Sequence, residues 1–176
     1  DANEFTAARH QIRIFREKAN PVDMEERILD QLAARIEDQQ TQAQIDRIIA
    51  ESERLEEADR LAEALATIRS GQEQHTSRRL AERENELVSM IRYDELIEQA
   101  RAAEDNAAYG DAIGLYRQAN DIRPSDRLQT RMTELRRRQW YERGRQFEAE
   151  GDFDEAESAY HKALPLPEAE RALEEL

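Results

Sequence analysis

In residues 139–167, QWYERGRQFEAEGDFDEAESAYHKALPLP, small side chains stand at helical offsets on both sides of one tight turn. That spacing leaves few folds open to the chain. Trp140, Gly144 and Phe147 share a face of a first helix, and Ala156, Tyr160 and Ala163 share a face of a second. Gly151-Asp152 forms the turn. Two helices joined this tightly must cross closely, and side chains larger than those of Gly144 and Ala156 would push the backbones apart. Asp152 or Asp154 is placed to cap the second helix by accepting its free N–H groups. Pro165 and Pro167 then end it, because proline cannot continue the hydrogen-bond ladder.

An earlier segment carries the same pattern. Ala112, Tyr116, Ala119 and Pro124 match Ala156, Tyr160, Ala163 and Pro167, with Ala112 and Ala156 44 residues apart and the last proline one residue early. Leu96, Ala100 and Ala103 take the places of Trp140, Gly144 and Phe147, and Gln99 takes that of Arg143. Between the two copies no glycine or proline intervenes from Ser125 to Gly144. With Ser125 as its cap, that stretch predicts one helix of about 25 residues, well beyond the usual length.

The later copy, Trp140-x2-Arg143-Gly144-x2-Phe147 followed by Ala156-x3-Tyr160 and Pro167, resembles a tetratricopeptide repeat. Arg143 departs from the leucine of that family's pattern, and the spacing of 44 residues exceeds the family's roughly 34. The resemblance covers about two units in residues 93–167. It implies an all-α fold of stacked helical hairpins, an α-solenoid, here preceded by long N-terminal helices. It also implies a module that binds a protein or peptide on a concave groove lined by the first helix of each pair. Helical phase places Arg138, Tyr141, Glu142, Arg145 and Glu148 beside the core face of the later unit. It places Asp94, Ile97, Glu98, Arg101 and Glu104 at the matching positions of the earlier one. A repeated arginine on such a groove can hold a carboxylate or a carbonyl. The same residues also read as i,i+3 and i,i+4 ion pairs on a solvated helix. Family members that clamp a terminal carboxylate use a Lys and Asn set, which these positions lack, so a co-chaperone role is not expected.

The N-terminal half reads as longer helices. Phe5, Ala8, Ile12 and Phe15 mark a short amphipathic helix, and Asn20-Pro21, with Asp23, supplies a cap and first turn for the next. Ile28, Leu29, Leu32 and Ile36 form its stripe, and Thr41-x-x-Gln44 offers a capping box for a new start. From Ile45 to Ile68 the apolar spacing is unbroken, which predicts one long helix ending at Gly71 as a C-terminal cap. The other reading makes residues 55–68 the second helix of a degenerate repeat, with Ala58 in the place of Ala112. Ser70-x-x-Glu73 then opens a fourth helix. Heptads are not sustained, so a long parallel coiled coil is disfavoured. The expected division is residues 1–70, a long-helix or hairpin region, and residues 71–176, the repeats with a C-terminal cap helix.

Composition excludes several function classes. Net charge is −14, and acids outnumber bases 16 to 10 in residues 1–70 and 11 to 4 in 141–176, so nucleic acid is not an expected partner. Arg136-Arg137-Arg138 is the basic run, which can meet an acidic partner but chiefly balances nearby acids. No apolar stretch reaches the roughly 18 residues of a membrane span, so no direct membrane insertion is expected. The chain has no cysteine, which removes disulfides and thiolate metal sites and fits a cytoplasmic or a periplasmic protein alike. Twenty-four of its 26 basic residues are arginine, a bias of GC-rich coding that points to a bacterial source. His10, His75 and His161 stand far apart, in none of the spacings of helical metal sites, and no phosphate loop or nucleophile setting occurs. Neither an enzyme, a metal nor a cofactor is expected. A chain that opens on Asp1 and ends soon after Pro167 is expected to belong to a longer protein, as its adaptor, as a structural or oligomerisation segment, or as its regulatory or sensor region.

The N-terminal stripes have few aromatic residues to cover them within one chain, and a second copy would hide that surface. A charge of −14 opposes such pairing at low salt. Weak dimerisation that strengthens with salt is the expected outcome of sedimentation at several protein and salt concentrations. A strict monomer at the highest concentration would remove it.

Overall fold

The computed structural model describes residues 2–19 and 23–176. Among these residues the chain is all-helical, with eight α-helices and no strand. The helices are α1 (Ala2–Ala19), α2 (Asp23–Glu57), α3 (Leu61–Gln74), α4 (Arg78–Asp105), α5 (Tyr109–Ile122), α6 (Asp126–Glu150), α7 (Phe153–Ala163) and α8 (Pro167–Glu175). None is long and apolar enough to cross a membrane. The chain divides into two compact units, Asp1–Val88 and Ser89–Leu176, with the boundary inside α4.

Three turns between helices share one geometry. Asp59, Ala107 and Gly151 adopt left-handed backbone, at φ of 59°, 55° and 87°. Their N–H groups donate to the carbonyls of Glu56, Glu104 and Glu148 at 2.9, 2.9 and 3.1 Å. The next residues, Arg60, Ala108 and Asp152, donate to Leu55, Ala103 and Phe147 at 2.8, 2.9 and 2.9 Å. This pair of bonds satisfies carbonyls that a helix end would otherwise leave open. The following helix starts at once, with Ala64, Ala112 and Ala156 donating to the carbonyls of Arg60, Ala108 and Asp152. The turns lie 48 and then 44 residues apart. Each turn rests on backbone bonds: Arg60, Ala108 and Asp152 at the starts of α3, α5 and α7 make no side-chain cap bond, and neither does the expected cap Ser125 at the start of α6.

Burial repeats with the turns. Ser52, Ala100 and Gly144 are buried near the end of each first helix. In each second helix Ala64-x3-Ile68-x2-Gly71, Ala112-x3-Tyr116-x2-Ala119 and Ala156-x3-Tyr160-x2-Ala163 are buried. The approach is close enough to exclude a methyl group at two glycines. A Cβ on Gly144 would lie 2.6 Å from the Tyr160 ring, and one on Gly71 would lie 2.8 Å from Ile48.

In the first unit, Ile45 of α2, Ala64 and Ile68 of α3, and Leu80 and Leu87 of α4 form one core. Buried Ile12 and Ile36 lie where α1 packs against α2, with Arg9 and Glu37 paired at 3.2 Å. In the second unit, Leu96 and Ala100 of α4, Ala112 and Tyr116 of α5, and Leu128 and Leu135 of α6 form another core. A third gathers Ala156, Tyr160 and Ala163 of α7 with Ala169 of α8, flanked by Trp140 and Phe147. The N-terminal halves of α4 and α6 thus cover the hairpin before each, and their C-terminal halves begin the next.

The N-terminal expectations need correction. The apolar run from Ile45 to Ile68 is two helices, broken at Ala58–Arg60, because the left-handed residue Asp59 ends α2. Aspartate adopts this backbone without glycine's help. The residue that matches Ala112 is Ala64, not Ala58. Gly71 does not cap a helix: it is buried inside α3 against Ile48. Ser70 and Glu73 also lie within α3, and α4 begins at Arg78. Thr41 does not open a helix either, since its hydroxyl donates to the Glu37 carbonyl at 3.0 Å inside α2. The expected Asn20-Pro21 cap lies outside the described residues.

Two substitutions test this geometry from opposite directions. Ala107→Gly relieves a left-handed alanine and should stabilise the fold by about 1 kcal/mol. Gly144→Ala forces a methyl group against a buried ring and should destabilise by about 1–3 kcal/mol. Urea midpoints of both variants against the parent measure this, and shifts of the same sign would contradict it.

Candidate functional site

The first helix of each hairpin ends with a glutamate whose carbonyl is already committed to the turn: Glu56, Glu104 and Glu148. Their carboxylates emerge beside the second helix. Glu56 accepts a hydrogen bond from Arg83 of α4, and Arg83 also pairs with Glu86 at 3.1 Å. Glu104 accepts two bonds from Arg131 of α6, one of them from Nε at 3.1 Å, and Arg131 also pairs with Glu134 at 3.0 Å. In both cases 27 residues separate acid from base. Tyr116 donates to Glu104 as well. Glu148 accepts a bond from the Tyr160 hydroxyl at 2.5 Å.

These contacts set the protonation of their members. Burial works against ionised Glu104, but its bonds from Arg131 and Tyr116 prevail and hold its pKa below the ordinary range. Burial, and then the bond to Glu104, push the Tyr116 hydroxyl up to about 12. Burial and Glu148 raise Tyr160 in the same direction. Arg131 is held more firmly protonated, chiefly by its hydrogen bond to Glu104.

The residues selected by helical phase do not share one setting. Ile97, Arg101 and Glu104 line a groove of about 760 Å³ with Tyr93, Tyr116 and Arg131. Tyr141 and Glu148 meet at Tyr160, with the two tyrosine rings 5.7 Å apart at 41°. Arg101 pairs with Glu98 at 2.7 Å and Arg145 with Glu142 at 3.8 Å, each within its own helix. Glu142 also lines a second groove, of about 940 Å³, with Trp140, Arg143 and Phe147. Asp94 and Arg138 are exposed on α4 and α6, and Arg138 lies close enough to favour the charged form of Glu104.

Sequence reasoning missed Arg131, Tyr116 and their partners in the first unit. The 48-residue recurrence of Glu56, Ser77, Leu80, Arg83, Glu86 and Leu87 as Glu104, Ser125, Leu128, Arg131, Glu134 and Leu135 was the available signal. Arg143, at the position filled by leucine in the pattern this segment resembles, sits over Trp140 at 5.5 Å and over Phe147 at 5.4 Å. Lys162 approaches the Trp140 ring to 4.3 Å. Cation–π attraction and the apolar stem of Arg143 therefore let a charged residue stand there. Among the described residues no group of three histidines, aspartates or glutamates is placed to hold a metal ion. No protein-family model, curated protein or solved structure matches the chain.

The raised Tyr116 gives a pH dependence with a definite sign. The fold favours the neutral hydroxyl, so this contribution is complete below pH 10, the ordinary tyrosine value, and is lost as pH rises through about 12. Denaturation midpoints should fall between those limits in the parent and fall less steeply in Tyr116→Phe. Parallel curves for the two proteins would count against the Tyr116–Glu104 contact.

Proposed function

We propose that this chain is a tetratricopeptide-type helical repeat module that binds a protein or peptide segment and carries no catalytic site of its own. The observation behind this reading is the threefold recurrence of one hairpin, with the same turn bonds and the same buried small residues, at spacings of 48 and 44 residues. Repeats longer than the family's roughly 34 residues follow from long first helices, 28 residues in α4 and 25 in α6. Such a module offers rigid side-chain rows between its long helices, and rows of this kind suit an extended or helical peptide. The groove beside Ile97, Arg101 and Tyr93 pairs an apolar strip with exposed charge, which suits a segment bearing both an aliphatic and an acidic residue. Tyr141 and Arg145 repeat the combination one hairpin later.

A second reading, oligomerisation through the N-terminal helices, is favoured by the exposure of Phe15, Ile28 and Leu32. Sedimentation separates the two.

Partner capture with this fragment, followed by Arg101→Glu with Arg145→Glu, tests the module reading. The double variant should fold normally, because exposed pairs contribute little. It should bind the captured partner about tenfold more weakly or worse. Arg117→Glu, in the other groove, serves as the control. Loss of binding in the control and none in the double variant would refute the assignment.

A further inference from the structure

The third hairpin lacks one contact that the other two make. Ser77 and Ser125 open α4 and α6, each accepting a backbone bond from the residue four positions on, and Leu166 opens α8 in the same way. Three residues after each start comes a buried apolar residue: Leu80, Leu128 and Ala169. Six residues after it come Arg83, Arg131 and Ala172. The first two reach back to Glu56 and Glu104. Ala172, which packs against the cluster containing Tyr160, offers only a methyl group.

Glu148 therefore holds the turn position of two carboxylates that bind arginine, while the residue at the arginine's place counted from the start of α8 is Ala172, 24 residues on instead of 27 because α7 has 11 residues against 14 in α3 and α5. Its surroundings resemble the filled site in the second hairpin. Tyr160 donates to Glu148 as Tyr116 does to Glu104. The Tyr141 ring lies against Tyr160 and provides a flat surface beside the carboxylate. The nearest base on the same helix, Arg145, pairs with Glu142 at 3.8 Å and also lies close enough to act on the Tyr160 hydroxyl. Residues 141–176 carry 11 acids and 4 bases, a field that draws cationic segments and repels acidic ones.

We propose that Glu148, with Tyr160 and Tyr141, is a receptor for an arginine side chain supplied by a protein partner. This rests on the partner-binding reading and specifies one contact in it. Arginine fits better than lysine because the planar guanidinium can give two bonds to one carboxylate, as Arg131 does to Glu104, while lying on an aromatic face. The occupant is a basic segment passing over Ala172, and it differs in charge from the acidic segment suited to the Arg101 groove.

The probe is acetyl-Gly-Arg-Gly-amide, with the citrulline peptide as its neutral isostere, followed by NMR on the Tyr141 and Tyr160 ring signals. The arginine peptide should shift these signals saturably at millimolar concentration, and the citrulline peptide should not. Glu148→Gln keeps an acceptor for Tyr160 and so preserves the fold, and it should lose the shifts. Ala172→Arg should fill the site from within, raise the melting midpoint and also abolish the shifts. Arg101→Glu should leave them unchanged, which separates failure of this site from failure of the groove. Equal shifts in the parent and Glu148→Gln, or with both peptides, would overturn the proposal. A stabilised Ala172→Arg with no peptide binding to the parent would overturn it too, since the site would then be closed to outside segments. Self-association of the parent that disappears in Glu148→Gln would assign the arginine to a second copy and overturn the choice of a separate partner.

Discussion

Close approach of two helices at a small side chain is the constraint on which each hairpin depends. It acts in both directions. In the third hairpin the first helix provides the gap, with Gly144 receiving the face of Tyr160. In the first hairpin the second helix provides it, with Gly71 receiving Ile48. A glycine in a helix interior weakens the helix by roughly 1 kcal/mol against alanine. Both sites therefore give up local stability for contact area, which is favourable when a buried ring or isoleucine fills the gap. Ser52 meets the same size requirement with a hydroxyl that is buried and has no partner among the described residues. That group is desolvated without compensation, so the first hairpin reaches the geometry at a polar cost the other two avoid.

The turn follows from this constraint. Two helices crossing at a small residue must reverse within three residues, and the left-handed residue makes the reversal possible. Three different residues accept the role, Asp59, Ala107 and Gly151, because the paired backbone bonds around them are the same. The geometry thus depends on the backbone more than on the residue at its apex. The glutamate three residues before the apex has its carbonyl fixed by the turn, so its carboxylate emerges at a defined place beside the second helix. The arginine 27 residues later then meets it without a search through many rotamers.

The helical class of the whole chain is legible from periodicity, and so are the second and third hairpins. Their small residues are alanine and glycine and their ring positions are tyrosine, which leave a recognisable pattern. The first hairpin is not legible by the same route. Its small residue is Ser52, its ring position is Ile68, and its turn is Ala58-Asp59-Arg60, so the apolar stripe runs through the break without interruption. Apolar phase cannot register a turn that keeps the same face inward on both sides. Gly71 misleads for a related reason: a glycine near the end of a stripe signals a cap, but here it signals a neighbour too close for a methyl group. Among the site residues, helical phase identifies the exposure of Arg101 and Arg145 and allows their i,i+3 pairs with Glu98 and Glu142, but it cannot register contacts between helices such as Arg131 with Glu104, 27 residues apart.

The two arginine pairs differ in kind from the surface pairs around them. Arg101–Glu98 is exposed on both sides, and water competes for each end. Arg131–Glu104 joins helices distant in sequence, and only 11% of the Glu104 side chain is accessible. The second type orders one helix against the next, because removing either partner leaves a half-buried charge without its counterion. In the third hairpin the same carboxylate position is exposed, and the residue six positions after the start of α8 is Ala172, which packs against the Tyr160 cluster. An internal ordering contact has thus been left unmade at one end of a repeated pattern. The carboxylate retained there has Tyr160 to hold it and carries charge that the fold does not use.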